Sequence, residues 1–186
     1  MENLEINFKK IDQIKKITPK EKNFRTKNLE LFKSAGFPSK RLEDWKFSDF
    51  RKIVDNNFNK LDTNKVTSDL QKTELIKNFE HNFIILANGS LHSSNFDYEE
   101  KNKIKINSYD NNIDYEPSDN PLICLNHALA ENGYSLEIEE NYKFKKTLVI
   151  YNFFTKDLKN KILNNKNKIK VKKNSEVHII EYTINE

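Results

Sequence analysis

From His81 onward, apolar residues recur in short runs or at every second position, the period of a β-strand. Asn82-Phe83-Ile84-Ile85-Leu86-Ala87 is an apolar run that stops at Asn88-Gly89, a strong turn signal. Lys103-Ile104-Lys105-Ile106 and Ser135-Leu136-Glu137-Ile138-Glu139 alternate with period two, and Thr147 to Phe154 is almost wholly apolar. Lys168-Ile169-Lys170-Val171 alternates again, Asn174-Ser175 reads as a turn, and Val177 to Ile184 is a β-branched run. One helix interrupts the series. Over Pro121 to Glu131, Leu122, Leu125, Ala128 and Leu129 share a face; Asp119 or Asn120 is placed to cap its start, and Asn132-Gly133 to end it.

The N-terminal part carries a helical pattern instead. Phe8, Ile11, Ile14 and Ile17, spaced by three, predict one face of a short helix. Thr18-Pro19-Lys20-Glu21 holds a cap, a first-turn proline and a capping-box acceptor. Phe24, Leu31, Phe32 and Ala35 continue that helix, and Gly36 followed by Pro38 ends it, which predicts a helix over Pro19 to Ala35. Beyond it, Phe37, Trp45, Phe47 and Phe50 predict a turn packed back against the helix. The resulting class is α+β: a helical N-terminal region over 1–60, then a β core over 61–186 with an inserted helix near 121–131. The later strands are separated by turns rather than helices, which argues against a doubly wound sheet and allows a sandwich or a solenoid.

Composition changes this picture little. The 186 residues are polar, 36% hydrophobic and 32% charged, but thirteen Phe, seven Tyr and one Trp provide surface for a core. The net charge is +4, with both signs interspersed. The exception is Lys156 to Lys173, where eight Lys face Asp157 alone; a solvated face is the plain reading, and a nucleic-acid contact the sharper one. Cys124 is the single cysteine, so an internal disulfide is excluded and a reducing compartment fits. No apolar run approaches the roughly 20 residues that span a bilayer, and Met1 to Phe8 lacks a signal-peptide core. The cytoplasm is the expected location, with no membrane partner.

Candidate chemistry is sparse. Cys124 and His127 share a helix face, but two ligands fall short of the four of a structural metal site. Trp45 is a stacking platform only if Glu43 and Asp44 beside it tolerate a phosphate backbone, which they would repel. His81 and His92 flank the first apolar run, at what would be exposed ends of the strand, and His178 alternates with Val177 and Ile179; each reads as a surface or satisfied histidine rather than a ligand. Glu99 and Glu100 are adjacent, as are Glu139 and Glu140, and neighbours on a strand point apart, so neither is an acid/base pair. With three Gly in the chain there is no Gly-rich phosphate loop. No catalytic, cofactor-binding or metal-binding residue is assigned.

Four blocks in order resemble a known family. Gly36, Phe37 and Pro38, followed by Glu43, Trp45, Lys46 and Phe47, look like the segment near the N-terminus of the SufB/SufD family, SufD in particular. Asn88, Gly89 and Ser94 are similar to the strand and turn that come next there; Leu125, Asn126, Ala128 and Gly133 to its Leu-Asn-x-Ala helix; Asn174-Ser175 with Glu181-Tyr182 to the coil that follows. The resemblance runs from about Thr18 to Glu186. It implies a helical N-terminal region followed by the first coils of a right-handed parallel β-helix, an incomplete solenoid with an open last coil. It implies a non-catalytic scaffold subunit, or an N-terminal part of one, in the Suf complex for iron–sulfur cluster assembly, with SufB-like and SufC-like (ATPase) partners. The cluster is handled by the complex, with no cofactor held by this portion and no nucleic acid bound. Members of that family are much longer, so the resemblance points to a truncated or split gene product, or to a short paralogue that pairs its open end with a partner. A β-helix carbohydrate-active enzyme and a basic nucleic-acid-binding module are the competing expectations.

Overall fold

The computed structural model describes residues 4–66, 70, 74–109 and 118–186. The chain divides into two compact units, each made of three stretches. One draws on Met1–Lys65, Asn111–Glu131 and Asn160–Asn164, the other on Val66–Asp110, Asn132–Lys159 and Asn165–Glu186.

The first unit is built on α1 (Pro19–Ala35), which begins and ends where its sequence signals stand. The Glu21 amide donates to the Thr18 hydroxyl (3.2 Å), and the Thr18 amide donates to the Glu21 carboxylate (3.3 Å), so two orphan donors are satisfied reciprocally. At the other end Gly36 has φ 68°, and a Cβ there would sit 2.7 Å from the Arg51 guanidinium. That guanidinium is needed in place: it donates to the carbonyls of Ala35 (2.6 Å) and Phe37 (3.1 Å). Two shorter helices follow, α2 (Phe50–Asn57), capped by Asp49, and α3 (Pro121–Leu129), capped by Asn120. Helices α1 and α3 pack together, with Leu29, Phe32, Leu125, Ala128 and Leu129 buried alongside Phe37 and Val54. Arg25, fully buried, spans this contact by donating from Nη1 to the carbonyls of Ala128 (3.1 Å) and Ala130 (3.0 Å), where α3 has run out of internal donors. Strands β1 (Glu5–Asn7) and β2 (Lys60–Asp62) pair in parallel. The stretch Asn160–Asn164 closes onto β2: Asp62 N–H donates to Asn160 O (3.0 Å), Ile162 N–H to Asp62 O (2.8 Å), and Lys161 reaches the Asp62 carboxylate at 2.6 Å.

Two local expectations fail here. Residues 8–17 form no α-helix; they hold one 3-10 turn, Ile11–Gln13, and Lys16 sits at φ 60°. A strict spacing of three suits the three-residue turn of a 3-10 helix, whereas an α-helix needs steps of three and four mixed. Ile11 and Ile14 are buried all the same. Phe47 is 89% exposed rather than packed on α1, its ring lying under Lys46 Nζ at 5.2 Å.

The described residues of the second unit form β-strands, with one 3-10 turn at Lys156–Leu158. Strands β3 (Asn82–Ala87) and β4 (Ser90–Asn95) form a hairpin around Asn88-Gly89, both at positive φ, 45° and 75°, as a primed turn requires. β7 (Leu148–Phe154) pairs in parallel with β3 on one side and with β9 (Ile179–Asn185) on the other, giving the order β4-β3-β7-β9. A second sheet has the order β5-β6-β8, from Ile104–Ser108, Asn132–Ile138 and Asn165–Val171; β5–β6 is antiparallel and β6–β8 parallel. The two sheets share one core: Ile84, Leu86, Leu148 and Ile150 meet Tyr134, Leu136 and Ile138. The far side of the first sheet, Ile85, Val149, Tyr151 and Phe153, is covered by Leu75 and Ile76. β3 and β7 are thus buried on both faces, which is why their sequences are continuous apolar runs rather than alternating ones. Gly133 opens β6 at φ 131°, and a Cβ there would lie 1.9 Å from the Lys166 carbonyl, so close pairing of β6 with β8 demands glycine.

These sheets overturn the expected right-handed parallel β-helix. The described residues form three α-helices and small sheets, two of them mixed, none closed or solenoid-like. The antiparallel pairs β3–β4 and β5–β6 break the one-directional winding that a β-helix needs. The period of two announces strands but is blind to the direction in which they pair.

Candidate functional site

The feature that asks for a function is the outer margin of the second unit. β8 and β9 each end their sheet among the described residues. Register fixes which side chains face where. Leu136 and Ile138 point into the shared core, so their partners Ile169 and Val171 on β8 continue that face; Leu148 pairs with Ile179 in the same way. On the opposite face of the first sheet Val149 and Tyr151 pair with Ile180 and Tyr182. Five large apolar side chains, Ile169, Val171, Ile179, Ile180 and Tyr182, are therefore laid out as a core would be, yet stand between 37% and 45% exposed. They fall on two faces, Ile169, Val171 and Ile179 on the core side and Ile180 with Tyr182 on the other, and grouped exposed apolar residues mark an interaction surface more often than an isolated one does.

The outer face of the second sheet carries charges in alternating rows. Lys105 of β5 lies opposite Glu137 and reaches the Glu139 carboxylate at 3.2 Å. Lys170 of β8 lies opposite Glu137, 3.9 Å from its carboxylate, and Lys172 stands 2.6 Å from both Glu137 and Glu139. The bonds to Glu137 and Glu139 push the Lys172 ammonium up, and those from Lys172 hold both carboxyls below their ordinary range. The Lys156–Lys173 run is thereby divided: Lys161 is spent on Asp62, while Lys170 and Lys172 face the glutamates.

The carboxylates singled out in sequence prove unlike one another. Glu100 is exposed, but Glu99 is buried and acts as an acceptor for four donors. The Tyr142 hydroxyl and Asn82 Nδ2 both lie at 2.7 Å, and the amides of Lys145 (3.0 Å) and Lys146 (3.1 Å) complete the cage. Burial raises the Glu99 carboxyl, but the donors from Tyr142, Asn82, Lys145 and Lys146 outweigh it and hold the group below its ordinary range. An ionised carboxylate with its lone pairs so used is a structural latch; it has no room to take a substrate proton. Glu139 belongs to the charge rows, with Glu140 exposed beside it.

The remaining candidates are scattered. Cys124 is buried, and its thiol donates to the Ser118 carbonyl at 3.1 Å; burial, with the Asp119 charge second, pushes it up, away from the thiolate that binds metal. His127 packs edge-on to Phe24 at 5.4 Å. Among the described residues no three His, Cys, Asp or Glu side chains gather as a metal site. Trp45 is half-buried against Phe50 at 5.4 Å. His92 is exposed on β4, and His178 is exposed beside Glu176 at 3.3 Å. His81, just before β3, is a satisfied histidine. Its Nδ1 lies 2.9 Å from Phe79 O and its Nε2 2.7 Å from the buried Tyr151 hydroxyl, which also accepts from Ile76 N–H at 3.1 Å.

Among the described residues, the first unit holds a cleft and a smaller cavity. A cleft of about 1180 Å³ beside α2 mixes Lys40, Arg41 and Lys52 with Asp49, Asp55 and Asp119, and its Arg51 is committed to backbone carbonyls. A smaller one of about 290 Å³ is lined by apolar residues that include Phe50, Phe58, Leu61 and Leu125. None of the described helices is long and apolar enough to cross a membrane. No protein-family model matches the chain, and no curated protein matches it.

Proposed function

We propose that this chain is a non-catalytic scaffold subunit of iron–sulfur cluster assembly, of the SufB/SufD type, working in the cytoplasm with SufB-like and SufC-like (ATPase) subunits. The observation that carries the reading is the apolar margin formed by Ile169, Val171, Ile179, Ile180 and Tyr182. It is the surface a protein partner would cover, and it belongs to the most regular part of the unit, where a rigid docking face is expected. The four sequence blocks around Gly36, Asn88, Leu125 and Asn174 supply the choice of assembly; the solenoid corrected above supplies none of it.

The test is co-expression of the tagged full chain with the SufB-like and SufC-like proteins of its native host, followed by affinity purification in high salt. Stoichiometric recovery of either subunit, lost when Ile180 and Tyr182 are both changed to Ser, supports the reading. Recovery of neither, from a chain that circular dichroism shows to be folded, ends it.

A further inference from the structure

We propose that His81 is a pH-sensitive clasp: protonation of its imidazole loosens the strap 75–81 from the far face of the first sheet. The argument comes from a chain of hydrogen bonds that runs one way. Phe79 O, 2.9 Å from His81 Nδ1, accepts and cannot donate, so Nδ1 carries a proton. In the neutral ring Nε2 is then an acceptor, and it takes the Tyr151 O–H at 2.7 Å. The Tyr151 oxygen accepts in turn from Ile76 N–H at 3.1 Å. Burial pushes the Tyr151 hydroxyl up, so it stays protonated and able to donate. One tautomer of a neutral imidazole thus satisfies every link. A second proton, on Nε2, reverses the middle link. Nε2–H and Ile76 N–H then both point at the Tyr151 oxygen, and the Tyr151 proton is turned away from His81 inside a fully buried site. A buried donor without an acceptor is costly, so the charged ring favours the state in which the strap is lifted and water enters.

The strap is placed for such a clasp to matter. Its Leu75 and Ile76 cover Ile85, Val149, Tyr151 and Phe153, so lifting it bares an apolar face of β3 and β7. Residues 75–81 lie outside any helix or strand, and the bond from Ile76 does there what a ladder does elsewhere. The groups around the ring come from several elements. Lys77 and Glu80 of the strap share with His81 a hollow of about 400 Å³, which Tyr98 also lines. Glu80 is engaged by Lys146 at 2.8 Å, a bond that holds its carboxyl below the ordinary range, and Lys146 Nζ lies 5.6 Å from the centre of the Tyr98 ring. From β9, Tyr182 meets Tyr151 edge-on at 5.9 Å. Carboxylates, lysines and tyrosines ordinarily titrate outside the interval of about pH 5–8, whereas an imidazole ordinarily titrates inside it. The proposal goes beyond the assembly reading and does not rest on it.

The test is native-state hydrogen exchange on the unaltered full chain, read amide by amide by NMR at about pH 7.5 and about pH 5. Glu99, held below its ordinary range, stays ionised throughout that interval. Corrected for the intrinsic exchange rate, protection of the Ile76 amide is expected to fall at least about fivefold on acidification, while Val149 and Ile150 in β7 hold within about twofold. The His81 ring protons, followed in the same samples, should titrate with the midpoint at which Ile76 protection falls. In His81→Gln the carboxamide oxygen can accept from Tyr151 but takes up no proton, so Ile76 protection should become independent of pH. His92→Gln, on the exposed β4 histidine, should leave the fall in place. Ile76 protection that ignores pH in the unaltered chain would overturn the proposal whatever the variants do. So would a midpoint that differs from that of His81, a fall that His81→Gln retains, or one shared equally by β7, which would report global unfolding. Because the pH comparison and the ring titration use the unaltered chain, a misfolded variant leaves the test intact.

Discussion

Replacing Glu99 tests the physical account most directly, because one side chain holds three separate stretches together. Its carboxylate takes bonds from Asn82 at the start of β3, from Tyr142, and from the amides of Lys145 and Lys146 leading into β7. A hydrogen bond to a charged group contributes about 1.5–3 kcal/mol. The four do not add, since Asn82 Nδ2 keeps the Lys146 carbonyl at 3.1 Å and water can reach part of the vacated site. Glu99→Ala is therefore expected to cost about 3–5 kcal/mol, mostly from buried donors left without an acceptor. Glu99→Gln keeps the volume but turns one acceptor into a donor facing donors, for about 1–3 kcal/mol. With a urea slope of about 2 kcal/mol/M, the Ala change lowers the unfolding midpoint by about 2 M. Native-state hydrogen exchange adds the local readout, because the Lys145 and Lys146 amides should lose protection first. The pH dependence has a definite sign. The Glu99 carboxyl is lowered in the folded chain, so its contribution is present above the unfolded value of about 4.3 and drains away as pH falls through the folded value. Glu99→Gln should remove that acid-side dependence. If Glu99→Ala costs under about 0.5 kcal/mol and leaves both amides protected, the latch reasoning is wrong.

Arg25→Met should destabilise the first unit by about 3 kcal/mol in urea unfolding, since it strips the donor from the Ala128 and Ala130 carbonyls while keeping apolar volume; Arg25→Lys should recover part of that, because a single nitrogen, Nη1, serves both carbonyls. Gly133→Ala should cost well over about 1 kcal/mol in urea unfolding, as the added methyl meets the Lys166 carbonyl in a backbone conformation that disfavours a side chain. Phe47→Ser should shift thermal stability by no more than about 0.5 kcal/mol, since the ring is almost wholly in water; a larger loss would show that it packs on α1 after all.

What could be read from the sequence was local. Thr18, Pro19, Glu21 and Gly36 placed α1 to the residue, because capping is decided within a few positions of each helix end. The runs at Asn82–Ala87 and Leu148–Phe154 announced strands for the same reason. Pairing was hidden. Nothing near Ile104 says that β5 lies antiparallel to β6, and nothing near Glu99 says that Tyr142, 43 residues on, will donate to it. The hydroxyl that holds His81 was hidden in the same way, because Tyr151 is 70 residues away. The apolar margin was invisible for a related reason: only register shows that Ile169 and Ile179 continue the core-facing rows of Leu136 and Leu148.

The stretch Asn160–Asn164, which closes onto β2, has a consequence for biosynthesis. Lys161 and Asp62 are 99 residues apart. At about 5–20 residues per second on a ribosome, β2 waits about 5–20 s for its partner to be made. During that interval Leu61 and the neighbouring ring of Phe58 lack part of their native cover, so the nascent chain carries an oily seam that chaperones or premature collapse can claim. The same threading governs engineering: no single scission of the polypeptide liberates either unit intact, and a gene fragment stopping before Asn160 would leave the first unit unsealed.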